Sequence, residues 1–292
     1  MGWGIFGGGL TGEAFAGKLA GEMTASRDAP GRAPVDSWKL LGFRRGDTGT
    51  HSSRTLMLAE LSDLLESTSS SSQRDDYSAA IIDGNALHKR TAAGRVQARQ
   101  RLIELYGLDP QIPVFRVFRS LWDVSGEARP QLALLLALAR DSLLHATAPP
   151  ILALPIGSEL GRQTVTDAVI EATESRLKPS VVDKVVRNAS SSWTQSGHLE
   201  GRARKFRRQV PPNPAGVAFA LVLGYLLGQR ARRLFETEWM AIFDGSFEAK
   251  LEAAAEAKRL GWLDLRFGGG VVEVGFPGLL TAGEEELSRG LS

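Results

Sequence analysis

Ser246 to Phe276 reads SFEAKLEAAAEAKRLGWLDLRFGGGVVEVGF. Ser246 is a favourable N-cap, and the alanine-rich stretch behind it runs to Gly261, where a glycine can end a helix. Trp262, Leu263, Leu265 and Phe267 then lead into Gly268, Gly269 and Gly270, after which Val271, Val272, Val274 and Phe276 resume as a β-branched and aromatic run. That spacing predicts a hairpin turned at the glycines. A helix followed by a glycine-tipped hairpin is the order in which a winged-helix unit ends, with the helix placed to enter a DNA groove and the hairpin beside the phosphates. The same order also serves a hairpin that merely covers a helical core.

Working back from this stretch, helical periodicity dominates. Helices are expected over Phe235 to Phe243, Ala215 to Arg233, Ser180 to Trp193 and Thr164 to Ser175. Further back they are expected over Pro130 to His145, Ile112 to Trp122, and from an N-cap at Thr91 to a stop at Gly107. Leu56 to Leu65 forms another apolar face, with Ser52 or Ser53 as its N-cap, and Phe15, Leu19 and Met23 mark a first helix from Gly12 to Thr24. Between two of these lies a serine-rich run, Ser67 to Ser72, continued by Gln73 to Asp76, which reads as a flexible loop. Pro149, Pro150 and Pro155 crowd the segment Ala148 to Gly157, the expected boundary between two halves. The fold class expected is therefore mainly α, in two helical modules. Residues 1–150 are helix-turn-helix-like, and residues 151–292 are winged-helix-like and end in the β-hairpin.

The 292 residues are 43% hydrophobic and 23% charged, the profile of a soluble globular chain. Cysteine is absent, which removes disulfides, cysteine-zinc sites, iron-sulfur clusters and thiol nucleophiles together and permits a reducing cytoplasm. The first ten residues lack a basic region before their apolar ones, so they do not read as an export signal, and a cytoplasmic location is expected. The most apolar run, Ala215 to Gly228, is shorter than the roughly 20 residues of a membrane span and reads as a core helix.

Two phosphate-loop spacings read as decoys. Gly2-x-Gly4-x-x-Gly7 and Gly7-x-Gly9-x-x-Gly12 match the dinucleotide fingerprint, but no βαβ pattern follows them. Gly12 to Leu19 reproduces the glycines and lysine of a P-loop, yet Leu19 stands where a hydroxyl must hold magnesium, and Phe15 and Leu19 share a helical apolar face. The short apolar run Ala79 to Asp83 does not supply the missing acidic strand. His51, His88, His145 and His198 show no metal-ligand spacing and read as surface or capped residues. No nucleophile elbow occurs. No cofactor, metal or catalytic residue is therefore expected.

Charge is nearly balanced overall, with 35 basic against 33 acidic residues, but it is segregated along the chain. Between Arg176 and Leu234 twelve basic residues face only Asp183 and Glu200, and from Phe235 onward eleven acids outnumber five bases. A basic block repels itself, so an anionic partner that releases counterions accounts for it. Its peak is Arg202, Arg204, Lys205, Arg207 and Arg208, close to the hydroxyls of Ser190, Ser191, Ser192, Thr194 and Ser196. A second block holds Lys89, Arg90, Arg95 and Arg99; the last two share a helix face while Val96 and Leu102 to Leu105 turn toward the core. These nine residues are the expected contacts to double-stranded DNA. RNA shares the phosphates but would call for aromatic stacking strands that are missing. Competing readings are an ordinary transcription regulator and a scaffold for an acidic protein, including the acidic C-terminal segment of another copy.

Gly8-Gly9-Leu10 with Glu13, and Asn85-x-Leu87-x-Lys89-Arg90-Thr91 with Arg95 and Arg101-Leu102, resemble the BrxA family of BREX bacteriophage-exclusion systems. The resemblance covers short patterns in the N-terminal half. It implies a helical, non-enzymatic DNA-binding component of a bacterial defence system, whose methyltransferase, phosphatase-like and ATPase partners are separate chains.

Overall fold

The computed structural model describes residues 37–44, 46, 49–269 and 271–291. The glycine spacings of the first residues, the helix expected from Gly12 to Thr24, and Gly8, Gly9, Leu10 and Glu13 of the family pattern lie outside the described residues. Within them the fold is mainly helical, with fourteen α-helices and two small antiparallel hairpins. No described helix is long and apolar enough to cross a membrane.

Helix α1 (Ser37–Leu40) is followed by a tight turn at Thr50–Ser52 and then α2 (Leu58–Glu66). Ser52 and Ser53 donate their hydroxyls back to the Gly49 and Thr50 carbonyls, closing that turn, so neither is free to cap a helix. The cap position falls instead on Met57, at φ 53°. Ser67 and Thr68 close α2 by donating to the Leu64 carbonyl. The expected loop stops at Gln73, because Gln73 and Asp76 form a reciprocal capping box that starts α3 (Arg74–Ile82). Ala79 to Asp83 belongs to that helix and its end, not to a strand.

Helix α4 (Ala92–Tyr106) begins at Thr91, whose hydroxyl accepts the Gly94 N–H, and ends at Gly107 with φ 92°. Ala98, Leu102, Leu105 and Tyr106 form its buried stripe. Val96 is 56% exposed, contrary to the inward direction expected of it, because its place in the helical turn falls on the far side from that stripe. After α5 (Pro113–Val124), α6 (Arg129–Arg140) stops short of His145. Asp141 intervenes, accepting the Leu143 and Leu144 N–H groups at 3.0 and 3.1 Å, and so opens a separate helix, α7 (Ser142–His145).

Pro149 and Pro150 fall in the first turn of α8 (Ala148–Leu152), where their missing N–H groups leave no bond unmade. The proline-rich segment is therefore a helix start, not a gap between cores. Beyond it come α9 (Arg162–Ala172), α10 (Pro179–Gln195), a hairpin of β1 (Leu199–Glu200) and β2 (Phe206–Arg207), and α11 (Pro214–Leu226). The chain closes with α12 (Glu238–Ala241), α13 (Phe247–Arg259), the hairpin β3 (Asp264–Gly268) and β4 (Val271–Gly275), and α14 (Ala282–Arg289).

Apolar on every side, α11 must be buried, and it is: each residue from Ala215 to Gly224 is shielded from solvent. It packs against α5, α6, α13 and α14. Gly216 lets the helix come close, since a Cβ there would lie 2.5 Å from the Phe243 ring. Phe219 meets Phe118 with ring centroids 6.1 Å apart, and Arg116 pairs with Glu284 at 2.5 Å. One continuous core thus runs from Leu41 to Leu280, across Pro150. The helix ends at Leu226 rather than Arg233; Gly228, at φ 88°, and a 3-10 turn at Ala231–Glu236 take over.

Candidate nucleic-acid interface

The basic peak of the sequence lies on the β1–β2 hairpin, behind a pair of helices. Helix α9 buries Val165 and Val169 and packs against α10, whose Val182, Val185, Val186, Ala189 and Trp193 form the inner stripe. Between them the chain reverses through Glu174 and Ser175, both at positive φ, and Pro179 occupies the first turn of α10. The outward line of α10 is Ser180, Lys184, Arg187 and Ser191, at spacings of four, three and four residues.

The hairpin follows at once. Leu199 pairs with Arg207 and Glu200 with Phe206, and the far edge of β2 bonds residues 157–160. Gly157 N–H donates to the Arg207 carbonyl at 2.8 Å, Arg207 N–H to the Ser158 carbonyl at 2.9 Å and Leu160 N–H to the Lys205 carbonyl at 2.8 Å. β2 is thus flanked on both edges. Gly201 turns the tip at φ 99°, and any side chain there would collide with the Arg204 carbonyl oxygen.

On this frame the five expected cations separate. Arg202 and Arg208 are exposed, Arg208 lying 3.5 Å from Glu200. Lys205 donates to the Gly201 carbonyl at 2.6 Å, bracing the tip. Arg204 stacks over the Phe206 ring, 5.3 Å from its centroid, and grips Glu159 through two guanidinium nitrogens. That grip holds the Glu159 carboxyl below its ordinary range and raises the Arg204 guanidinium. Arg207 departs from expectation: its side chain is 0% exposed and pairs with Asp244 at 2.7 Å, because alternation along β2 turns it inward. It anchors the hairpin and does not face solvent. Asp244 also accepts the Val210 N–H at 2.7 Å.

The hydroxyls expected beside the basic peak are engaged inside α10. Ser190, Ser192 and Thr194 each donate to the carbonyl four residues earlier, and the buried Ser196 hydroxyl donates to the Trp193 carbonyl. His198 is buried rather than superficial, edge-on to Trp193 at 5.0 Å. Its Nε2 lies 2.8 Å from the Ile242 carbonyl and its Nδ1 2.9 Å from the Ser196 hydroxyl. Burial, aided by Arg207, pushes its pKa down to about 3, so the ring is neutral.

The second basic block sits on different elements. Lys89 pairs with Glu60 at 3.0 Å, and Arg90 is exposed before α4. Arg95 and Arg99 are half-buried on α4, Arg95 with its Nε shielded and without a partner. Arg99 borders an open cleft of about 500 Å³ together with Arg74, Asp75 and Asp109. No hydrogen bond or ion pair among the described residues joins this block to the hairpin.

The C-terminal helix and hairpin have the order read from the sequence, with Phe267 opposite Val272 and Gly268 opposite Val271. The outer face of α13, however, carries Glu248 and Glu252, while Ala253, Ala254 and Ala257 face the core. Arg259 is taken up by Glu256, and Arg266 lies 3.8 Å from Glu273. With Lys250, Lys258 and Arg259 against Glu248, Glu252 and Glu256, that helix carries no excess of positive charge to attract phosphate.

One constellation escaped the sequence reading. His51 Nδ1 lies 2.8 Å from Asp141 Oδ2, and His51 Nε2 2.8 Å from Ser192 Oγ. Burial pushes the Asp141 carboxyl up, but His51 and the N–H groups of Leu144 and His51 outweigh it and hold it below the ordinary value. The spacing is that of a catalytic triad, which is recognised by geometry and not by sequence position. All three residues are nonetheless shielded from solvent, and Ser192 Oγ also accepts the Leu56 N–H at 2.8 Å. The chain of bonds therefore ties the Thr50–Ser52 turn, the start of α7 and the last turn of α10 together. His51, 141 positions from Ser192, had no local signal. Compared with known proteins, the chain matches no family model, no curated protein and no solved structure.

Proposed function

We propose that the chain binds double-stranded DNA through α10 and the β1–β2 hairpin, as a winged-helix unit set between α8 and β2. The supporting observation is the order and pairing of the elements. A helix, an extended segment at 157–160, two helices and a hairpin follow one another, with β2 between that segment and β1. In such a unit the second helix of the pair reads the major groove and the hairpin lies on the backbone. Lys184 and Arg187 stand on the outer line of that helix, and Arg202, Lys205 and Arg208 on the hairpin. The winged unit thus falls earlier in the chain than the C-terminal hairpin, whose helix carries no excess of positive charge. The chain acts by binding, without chemistry of its own. We propose further that the chain is a component of bacterial phage defence, the role implied by the sequence resemblance to the BrxA family.

Fluorescence anisotropy with a labelled duplex across salt tests the proposal. With about five phosphates engaged, log affinity falls against log salt with a slope of about −4 to −5. Lys184→Ala with Arg187→Ala, and separately Arg202→Ala with Lys205→Ala and Arg208→Ala, each flatten the slope while the melting temperature holds. Unchanged duplex affinity in both variants overturns the proposal. Equal competition by an acidic peptide would replace DNA with a protein partner, and preferential competition by RNA would replace the duplex.

A further inference from the structure

We infer that Glu159 is a built-in stand-in for phosphate, a carboxylate that occupies Arg204 in the unbound chain and that a DNA phosphate must displace. This inference rests on the DNA-binding reading above and concerns how that surface is held in check. Three observations carry it. Glu159 sits on the outer segment paired with β2, directly opposite Phe206. Its two carboxylate oxygens take Nε, at 2.8 Å, and Nη2 of Arg204, the fork geometry in which arginine also receives phosphate. The same guanidinium lies over the Phe206 ring, so both its edge and its face are committed. The pair is largely exposed, with Arg204 at 70% and Glu159 at 40%. A solvent-screened pair of this kind is readily exchanged for a stronger anion.

The arrangement has two effects. Arg204 is held extended and planar before DNA arrives, so little side-chain freedom is lost on binding. Against that, a phosphate gains Arg204 only by evicting a carboxylate, which lowers affinity for any polyanion that does not fit the hairpin closely. Weak non-specific attraction is thereby suppressed more than a fitted contact.

A double-mutant cycle read by duplex anisotropy tests this. Glu159→Gln keeps the size of the side chain and should tighten duplex binding about threefold, the scale of an exposed ion pair. The gain should vanish in Glu159→Gln/Arg204→Ala, and Glu171→Gln, which removes one exposed charge elsewhere on α9, should give less. Weaker or unchanged binding by Glu159→Gln at an unaltered melting temperature overturns the inference, and so does a gain that survives removal of Arg204. The underlying interface is judged separately. If the Lys184/Arg187 and the Arg202/Lys205/Arg208 variants both leave affinity intact, the DNA surface itself is wrong; if they weaken binding while Glu159→Gln is neutral, only the stand-in role falls.

Discussion

His198 should make the chain lose stability between pH 7 and pH 5. Its ring is fully buried, held by the Ser196 hydroxyl and the Ile242 carbonyl, with its pKa pushed from the ordinary 6.5 to about 3. In the unfolded chain the same imidazole titrates normally. Below about pH 6.5 the unfolded state therefore binds a proton that the folded state refuses, and each further pH unit removes about 1.4 kcal/mol of stability. The stabilisation is complete above about pH 6.5 and declines as pH falls toward 3, which amounts to roughly 2 kcal/mol between pH 7 and 5. The carboxyls of Asp141 and Glu104 are held below their ordinary values, so their contribution is lost at more acidic pH, below this window. Urea denaturation at pH 7, 6 and 5 measures the slope. His198→Asn removes this titration and, whatever its absolute stability, should lose about 2 kcal/mol less than the parent over the same interval. Equal losses in parent and variant would refute the argument. His198 also accepts the Arg208 N–H at 2.8 Å through its carbonyl, which places the residue at the base of the hairpin.

Asp244→Ala strands the Arg207 guanidinium in the interior and should destabilise by about 3 kcal/mol or more in urea titration, whereas Arg207→Met added to it should recover much of that loss. Gly216→Val drives a side chain into the Phe243 ring and should lower stability by about 1–3 kcal/mol by calorimetry, while Gly283→Val, in the open first turn of α14, should change far less. Ser192 should resist a fluorophosphonate probe in the folded chain, as followed by mass spectrometry, and labelling at that residue would reopen the question of hydrolysis.

Legibility in the sequence followed the range over which each signal acts. Thr91 and Gly107 bracket α4, and Ser246 and Gly261 bracket α13, because caps and stops are made by residues within one turn of the helix end. The β3–β4 hairpin was readable for the same reason. The end of α11 at Leu226 is local too, a stop at Gly228 with the Gln229 N–H bonded back to the Gly224 carbonyl, but the apolar and basic run continuing to Arg233 masked it. The basic peak stands out along the chain, but its meaning depends on pairing that composition does not encode. Residues 157–160 pair with β2 only across two intervening helices, and Arg207 turns inward toward Asp244, 37 positions away. Lys184 and Arg187 were visible as charges, yet only the fold shows them in line on one face of α10. The serine run beside Trp193 was misleading because hydroxyls in a helix can satisfy themselves on the preceding turn.

The way α11 threads the interior has a practical consequence for anyone dividing the gene product. A fragment ending at Pro150 would present Phe118 and its neighbours to water with nothing to replace Phe219, and the complementary fragment would carry a greasy rod with no sheath. Neither piece should be recoverable as a tractable reagent. Co-expressed, the two should reassemble into a nicked whole, so affinity tags belong at the ends of the chain and deletion mapping should give way to point substitutions.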